Sequence, residues 1–165
     1  MFISQDMIDF IHFLKRNKVK YALVGGFAVI YYGYVRMTQD MDVLIDPSRE
    51  NATKMMKVLQ EFGFGDIGFS QSLFEKEGTA IHLGAEPNRI DILTSLKGVS
   101  NSSIFSNLKR IRYKGLLLNV ISLKDLLACK RHSDRAKDLA DVEVLEKTVG
   151  KIVLRRGTRK KKSGR

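Results

Sequence analysis

Two aspartates placed one residue apart inside an apolar stretch constrain this chain more than any other feature. The segment reads Asp40-Met41-Asp42-Val43-Leu44-Ile45. In a strand, residues i and i+2 point to the same face, so both carboxylates project side by side. Carboxylates that close repel each other, and withdrawing them from water is costly. A divalent cation relieves both problems. Mg²⁺ takes oxygen ligands in an octahedral shell and is typically held by one or two carboxylates together with substrate phosphates. Upstream, Tyr21-Ala22-Leu23-Val24 is an apolar run ending in Gly25-Gly26. Glycines at a strand end let backbone N–H groups approach a phosphate, and a helix starting there points its positive end at the anion. One stretch therefore offers a phosphate cradle and a metal clamp.

The flanking sequence supplies a frame for that stretch. Ser4 to Asn17 reads as an amphipathic helix capped by Ser4, with Met7, Ile8, Phe10, Ile11 and Leu14 as its apolar stripe. Val19 to Val24 reads as the first strand and Gly26 to Tyr34 as a short helix closed by Gly33. Tyr31, Tyr32 and Tyr34 either stack on a base or pack into the core. Arg36 and Thr38 lie in the loop leading to the aspartates, where Arg36 either pairs with a phosphate or offsets the two acids. Asp40 to Asp46 is the second strand, stopped by Pro47, and a helix follows from Ser48 to about Phe62.

Leu73 to Leu83 reads as a strand, irregular around Gly78. Arg89 to Thr94 reads as another, and it carries Asp91 between Ile90 and Ile92, an awkward place for a purely structural acid. Leu108 to Ile121 reads as a hairpin turning at Lys114-Gly115. Its basic residues Lys109, Arg110 and Arg112 either border a substrate cleft or face water. Ser122 opens a helix, with Asp125 three residues on in the capping-box position. Asp134 begins a last helix whose Leu139, Val142 and Leu145 are expected to face the core, with Asp134, Asp138 and Asp141 on one face. The expected architecture is α/β, or α+β: a mixed central sheet flanked by helices, with a C-terminal helical pair at about 122–148.

Composition bounds the rest. With 165 residues the chain suits one domain. No apolar run reaches the roughly 18–20 residues needed to span a bilayer. The start, Met1-Phe2-Ile3-Ser4, lacks a basic region followed by an apolar core, so no secretory signal and no membrane partner is expected. A single cysteine, Cys129, cannot form an internal disulfide and fits a cytoplasmic location. It forms no ligand set with His132. The formal net charge is +11, but seven positives and no acids lie in residues 155–165, leaving residues 1–154 at +4. The 155–165 tail reads as disordered when free, and is either a nucleic-acid contact or a solubilising extension.

Val24-Gly25-Gly26, a thirteen-residue spacer and Asp40-Met41-Asp42-Val43 together resemble the nucleotidyltransferase superfamily, the fold of DNA polymerase beta. Arg36-x-Thr38-x-Asp40 and the run Lys130, Arg135, Lys137-Asp138, Asp141 resemble its small prokaryotic members, the minimal nucleotidyltransferases and the AbiEii-like toxin–antitoxin group. The resemblance implies that residues 1–154 form one such domain and that Asp91 is a third carboxylate on a neighbouring strand. It implies Asp40, Asp42 and Asp91 as catalytic residues holding Mg²⁺ (or Mn²⁺), as two ions. It further implies Gly25, Gly26, Arg36, Thr38, Lys130 and Lys137 as nucleotide-binding residues, and the Lys130 to Asp141 run alternatively reads as a helical hairpin held by local ion pairs. The activity implied is transfer of a nucleotidyl group from an NTP such as ATP to a hydroxyl on a small molecule, an RNA end or a protein, in a defence or toxin–antitoxin setting. A non-catalytic module binding a nucleotide, a nucleic acid or a partner protein is the alternative.

Overall fold

The computed structural model describes residues 3–113 and 115–160. The chain opens with helix α1, Gln5–Arg16, whose Met7, Phe10, Ile11 and Leu14 are all buried and whose Ser4 hydroxyl accepts the Met7 N–H. Strand β1, Tyr21–Leu23, helix α2, Gly25–Tyr31, and strand β2, Asp40–Ile45, follow. Helix α3, Arg49–Glu61, leads through a 3-10 turn at Gly65–Ile67 into the short helix α4, Gln71–Glu75. Next come β3, Ala80–Leu83, β4, Arg89–Leu93, and α5, Asn101–Ser106. The hairpin β5, Lys109–Tyr113, and β6, Leu116–Val120, precedes helices α6, Leu123–Arg131, and α7, Ala136–Lys160.

The strands form one mixed sheet in the order β3-β4-β2-β1-β6-β5. β2 runs parallel to β4, and β1 parallel to β6; the other pairings are antiparallel. The central strands are buried on both faces, as the apolar neighbours of the aspartates require. Met41 and Val43 on β2 stand opposite Ile90 and Ile92 on β4, and all four are almost fully buried. α1 packs on α3, where Phe10 and Phe13 meet Phe62 edge-on. The mixed α/β architecture is the one expected.

Three details differ from the expectation, and two open alternatives, for the basic strand and for the tyrosines, are decided. The stretch expected to be strand from Leu73 holds α4 instead, with Phe74 fully buried and Gln71 bonded to Glu75 one turn on. Gly78, at φ +80°, then turns the chain into a shorter β3. The basic strand β5 is the sheet edge far from β2, separated from it by β6 and β1, so Lys109, Arg110 and Arg112 are a solvated face. Leu139 is 49% exposed, because Asp138, Asp141, Val142 and Leu145 form the buried stripe of α7. That helix also continues to Lys160, into the stretch read as a basic tail, while residues 161–165 lie outside the described residues. The tyrosines are structural: the Tyr32 hydroxyl donates to the Ile121 carbonyl at 2.8 Å, and Tyr31 packs edge-on against Tyr32.

The far ends of β1 and β2 are tied through one buried side chain. Asn51 of α3 accepts the Lys20 N–H at 2.7 Å and donates to the carbonyls of Lys20 and Asp46 at 3.1 and 2.8 Å. Asn51→Ala strands the Lys20 N–H and the Asp46 carbonyl, while the Lys20 carbonyl keeps the Asp46 N–H, and is expected to destabilise the fold by about 2–3 kcal/mol, read as a lower urea midpoint.

Candidate active site

The period of two along β2 and β4 builds the site. Asp40 and Asp42 share one face of β2. In register on β4, Arg89 stands opposite Asp40 and Asp91 opposite Asp42. On the far side of β4, His82 of β3 stands opposite Asp91. The five side chains thus occupy one polar patch across three strands, with Leu44 and Leu93 continuing that face into apolar ground. Asp40 and Asp42 are half-buried and Asp91 is buried.

Each acid has a defined set of partners. Arg89 donates Nε to Asp91 Oδ1 at 2.9 Å and Nη2 to Asp91 Oδ2 at 3.1 Å. The same Nη2 reaches Asp40 Oδ2 at 2.8 Å, and Nη1 reaches Glu86 Oε1 at 2.9 Å. His82 Nδ1 lies 2.7 Å from Asp91 Oδ1, and the Thr38 hydroxyl donates to Asp40 Oδ1 at 3.0 Å. Asp42 has the least help. Burial pushes its carboxyl up to about 6, the charges of Asp40 and Asp91 push the same way, and the Gly26 backbone N–H and the charge of Arg135 only partly offset them.

Both glycines are required by close approach. A Cβ on Gly25 would lie 1.8 Å from Asp42 Oδ2, and the residue sits at φ +53°. A Cβ on Gly26 would lie 2.3 Å from the Thr38 hydroxyl. The atoms that exclude side chains here belong to the acidic strand and the loop before it. The pair therefore lets the β1–α2 turn nest against Asp42.

A cavity of about 350 Å³ opens beside Asp42 and Gly25. Its apolar wall includes Leu93, Leu96, Leu126 and Cys129, and Lys97, Lys130 and Arg135 add positive charge. Burial pushes the Cys129 thiol up to about 11, so it acts as wall and not as nucleophile. Arg135 is largely exposed; only its Nε is committed, to Asp138 Oδ2 at 2.7 Å.

Lys130 and Arg36 have structural partners here. Lys130 Nζ is buried between Asp138 Oδ1 at 2.5 Å and Asp141 Oδ2 at 2.7 Å. Asp141 in turn receives Arg36 through two bonds of 2.9 and 3.0 Å. Burial raises the Asp138 carboxyl, but hydrogen bonds from Lys130, Ser133 and Arg135 outweigh it and bring the group down to about 2. This lattice joins the loop before β2 to α6 and α7. Asp40, Asp42, Asp91, Gly25, Gly26 and Thr38 are brought together, and Lys130 lines the cavity wall with its charge already matched. Lys137 is exposed on the first turn of α7 and is not among the cavity-lining residues. The sequence does not single out Arg89 or His82, for which the i−2 spacing of Arg89 to Asp91 is the only local signal, whereas Arg135 stands in the Lys130 to Asp141 run.

The donor set suits a hard cation in part. Asp40 and Asp42 offer carboxylate oxygens on one face, and the space a Cβ on Gly25 would fill lies against Asp42 Oδ2. Asp91 is the more heavily committed, with three contacts from Arg89 and His82, whereas each oxygen of Asp40 has one, from Thr38 or Arg89. Among the described residues, no three His, Cys, Asp or Glu side chains are arranged to hold a metal ion. The arrangement fits an ion held by Asp40 and Asp42 and completed by a substrate's oxygens.

Two expected outcomes follow from the charges. Asp42 binds its proton more tightly in the fold than its ordinary value of 3.8 allows. Its ionisation therefore opposes folding, by nothing below pH 4 and fully above about pH 6. Asp42→Asn should raise the melting temperature of the metal-free protein at pH 7.5, by about 1–2 kcal/mol in stability. The gain over wild type should vanish by pH 4, and scanning calorimetry at the two pH values checks both. Lys130→Met leaves two buried carboxylates facing each other and should cost about 3–5 kcal/mol in denaturant unfolding. A phosphate-binding lysine with no clamping role would leave unfolding unchanged.

No protein-family model matches the sequence, and no curated protein matches it. A solved structure does match: the lincosamide antibiotic adenylyltransferase LnuA with lincomycin bound. The TM-score is 0.55 and the identity 20%, over 87% of this chain and 97% of that chain. The likeness and the topology together assign the chain a nucleotidyltransferase-like fold, a mixed six-stranded sheet flanked by helices.

Proposed function

We propose that this chain is a nucleotidyltransferase, moving a nucleotidyl group from an NTP to a hydroxyl on an acceptor. The observation that carries the reading is the in-register placement of Asp42 and Asp91, with Asp40 alongside, where Asp42 lines a cavity of about 350 Å³. In the transfer, the acceptor oxygen attacks the α-phosphorus and its proton passes to a carboxylate of the patch. The bond from the α-phosphorus to the bridging oxygen breaks, and pyrophosphate leaves. Asp40 and Asp42 would hold the divalent cation, Mg²⁺ or Mn²⁺, which would supply charge stabilisation for the transfer.

The chain's own work is positioning and electrostatics. Thr38 orients Asp40, and Gly25 keeps the β1–α2 turn close enough for phosphates to reach the acids. Arg135 and Lys97 put cations at the cavity for the phosphates, the role sequence reading gave to Lys130. The cavity has the size of a small-molecule site, and its apolar wall suits a nucleoside or a compact acceptor. The lincomycin bound by the adenylyltransferase of like fold supports a small hydroxyl compound as acceptor over an RNA end or a protein. A non-catalytic nucleotide-binding module is the second reading, favoured by one observation: Asp91 has both oxygens occupied by Arg89 and His82.

Calorimetric titration of each NTP in Mg²⁺ and in EDTA tests the reading. At least one NTP should bind only with metal, and Asp42→Asn should weaken that binding at least about tenfold. Labelled transfer from that NTP to a small hydroxyl compound then separates turnover from simple capture. Binding of no NTP under either condition would refute the proposal.

A further inference from the structure

We propose that Arg89 is an internal counter-cation that competes with a divalent metal for Asp40 and Asp91. The inference rests on the reading of Asp40 and Asp42 as the metal-holding pair. Arg89 occupies one corner of a four-cornered patch whose other corners are Asp40, Asp42 and Asp91. Every guanidinium nitrogen is bonded to an acid: Nε and Nη2 to Asp91, Nη2 also to Asp40, and Nη1 to Glu86.

The competition is electrostatic. All four carboxylate oxygens of Asp40 and Asp91 already accept a hydrogen bond or face His82: Thr38 and Arg89 serve Asp40, and His82 and Arg89 serve Asp91. An ion bound there would share carboxylate oxygens with a guanidinium that already neutralises them. A guanidinium and a divalent ion within a few Å also repel strongly. Arg89 must therefore leave at least one acid when an ion binds there.

The structure provides somewhere for it to go. The Arg89 side chain is 28% exposed, and Glu86, on the turn before β4, is 47% exposed at the outer end of the guanidinium. Rotation toward Glu86 keeps one ion pair while vacating the patch. The free protein thus holds Asp40 and Asp91 paired and in register without metal. The ion becomes competitive when a triphosphate supplies further oxygen ligands and an anionic partner for the displaced arginine.

Mn²⁺ alone, titrated calorimetrically into the full chain without nucleotide, is the test. Arg89→Gln should bind Mn²⁺ at least about tenfold more tightly than wild type. Arg89→Lys, which keeps the charge but loses the fork, should fall between them. Affinity in Arg89→Gln equal to or weaker than wild type overturns the inference. If circular dichroism shows Arg89→Gln unfolded, Arg89→Lys decides, and binding no tighter than wild type overturns it. Asp42→Asn separates the failures. Wild-type binding that is lost in Asp42→Asn, with no gain in Arg89→Gln, removes the role of Arg89 alone. Absence of Mn²⁺ binding in both wild type and Arg89→Gln removes this inference together with the metal-holding reading.

Discussion

Mutual repulsion among three carboxylates on adjacent strands is the constraint around which the structure is arranged. Parallel pairing of β2 and β4 sets Asp42 directly across from Asp91, at a distance where two charges in a partly dry site oppose folding. The surroundings share the load unequally. Asp91 receives a guanidinium and an imidazole, Asp40 a guanidinium and a hydroxyl, and Asp42 a single backbone N–H. The result is a graded patch, well neutralised toward β3 and under-neutralised toward the cavity. An incoming cation meets its strongest attraction at Asp42, where the fold has left most charge unmatched.

A second charge system does the opposite work. Arg36, Lys130, Asp138 and Asp141 are fully matched and largely dry. Such a lattice contributes little net stability compared with an apolar core, yet breaking it is costly, because a buried charge is left alone. Its effect is geometric. It holds the two C-terminal helices against the loop before β2, and so fixes the cavity wall relative to the acids. The two systems meet at Arg135, which is bonded to Asp138 and electrostatically felt by Asp42.

Much of this was legible in the sequence, for a local reason. Asp40, Asp42 and Asp91 each stand between apolar residues, and a period of two is enough to place them on a face. The glycine pair was legible as a place where backbone must come close, though the group approached is Asp42 and not only a future phosphate. The roles of Arg89 and His82 were not legible, because they depend on which strands are neighbours and in what register. For Lys130 the resemblance implies a phosphate ligand and the charge pattern an ion-paired hairpin; the structure pairs it with Asp138 and Asp141, eight and eleven positions away on another helix. The same acids explain Leu139: hydropathy sends aspartates outward, but here partners from α6 and from the loop before β2 draw Asp138 and Asp141 inward. α4 was read as strand because Leu73-Phe74 is too short to show a period, and its burial comes from packing on α3.

The bond between Arg36 and Asp141 spans 105 residues. Chain order therefore sets a schedule. On a ribosome, strands β1, β2 and β4 and their acids are all synthesised before Asp141 exists, so the loop leading into Asp40 has no tether during that interval. The patch of acids can form early, but the wall facing it closes only when the last helix arrives. Any cut or stall between β6 and Asp141 leaves an acidic face without a pocket, a form that could still attract cations but would have nothing to hold a substrate against them.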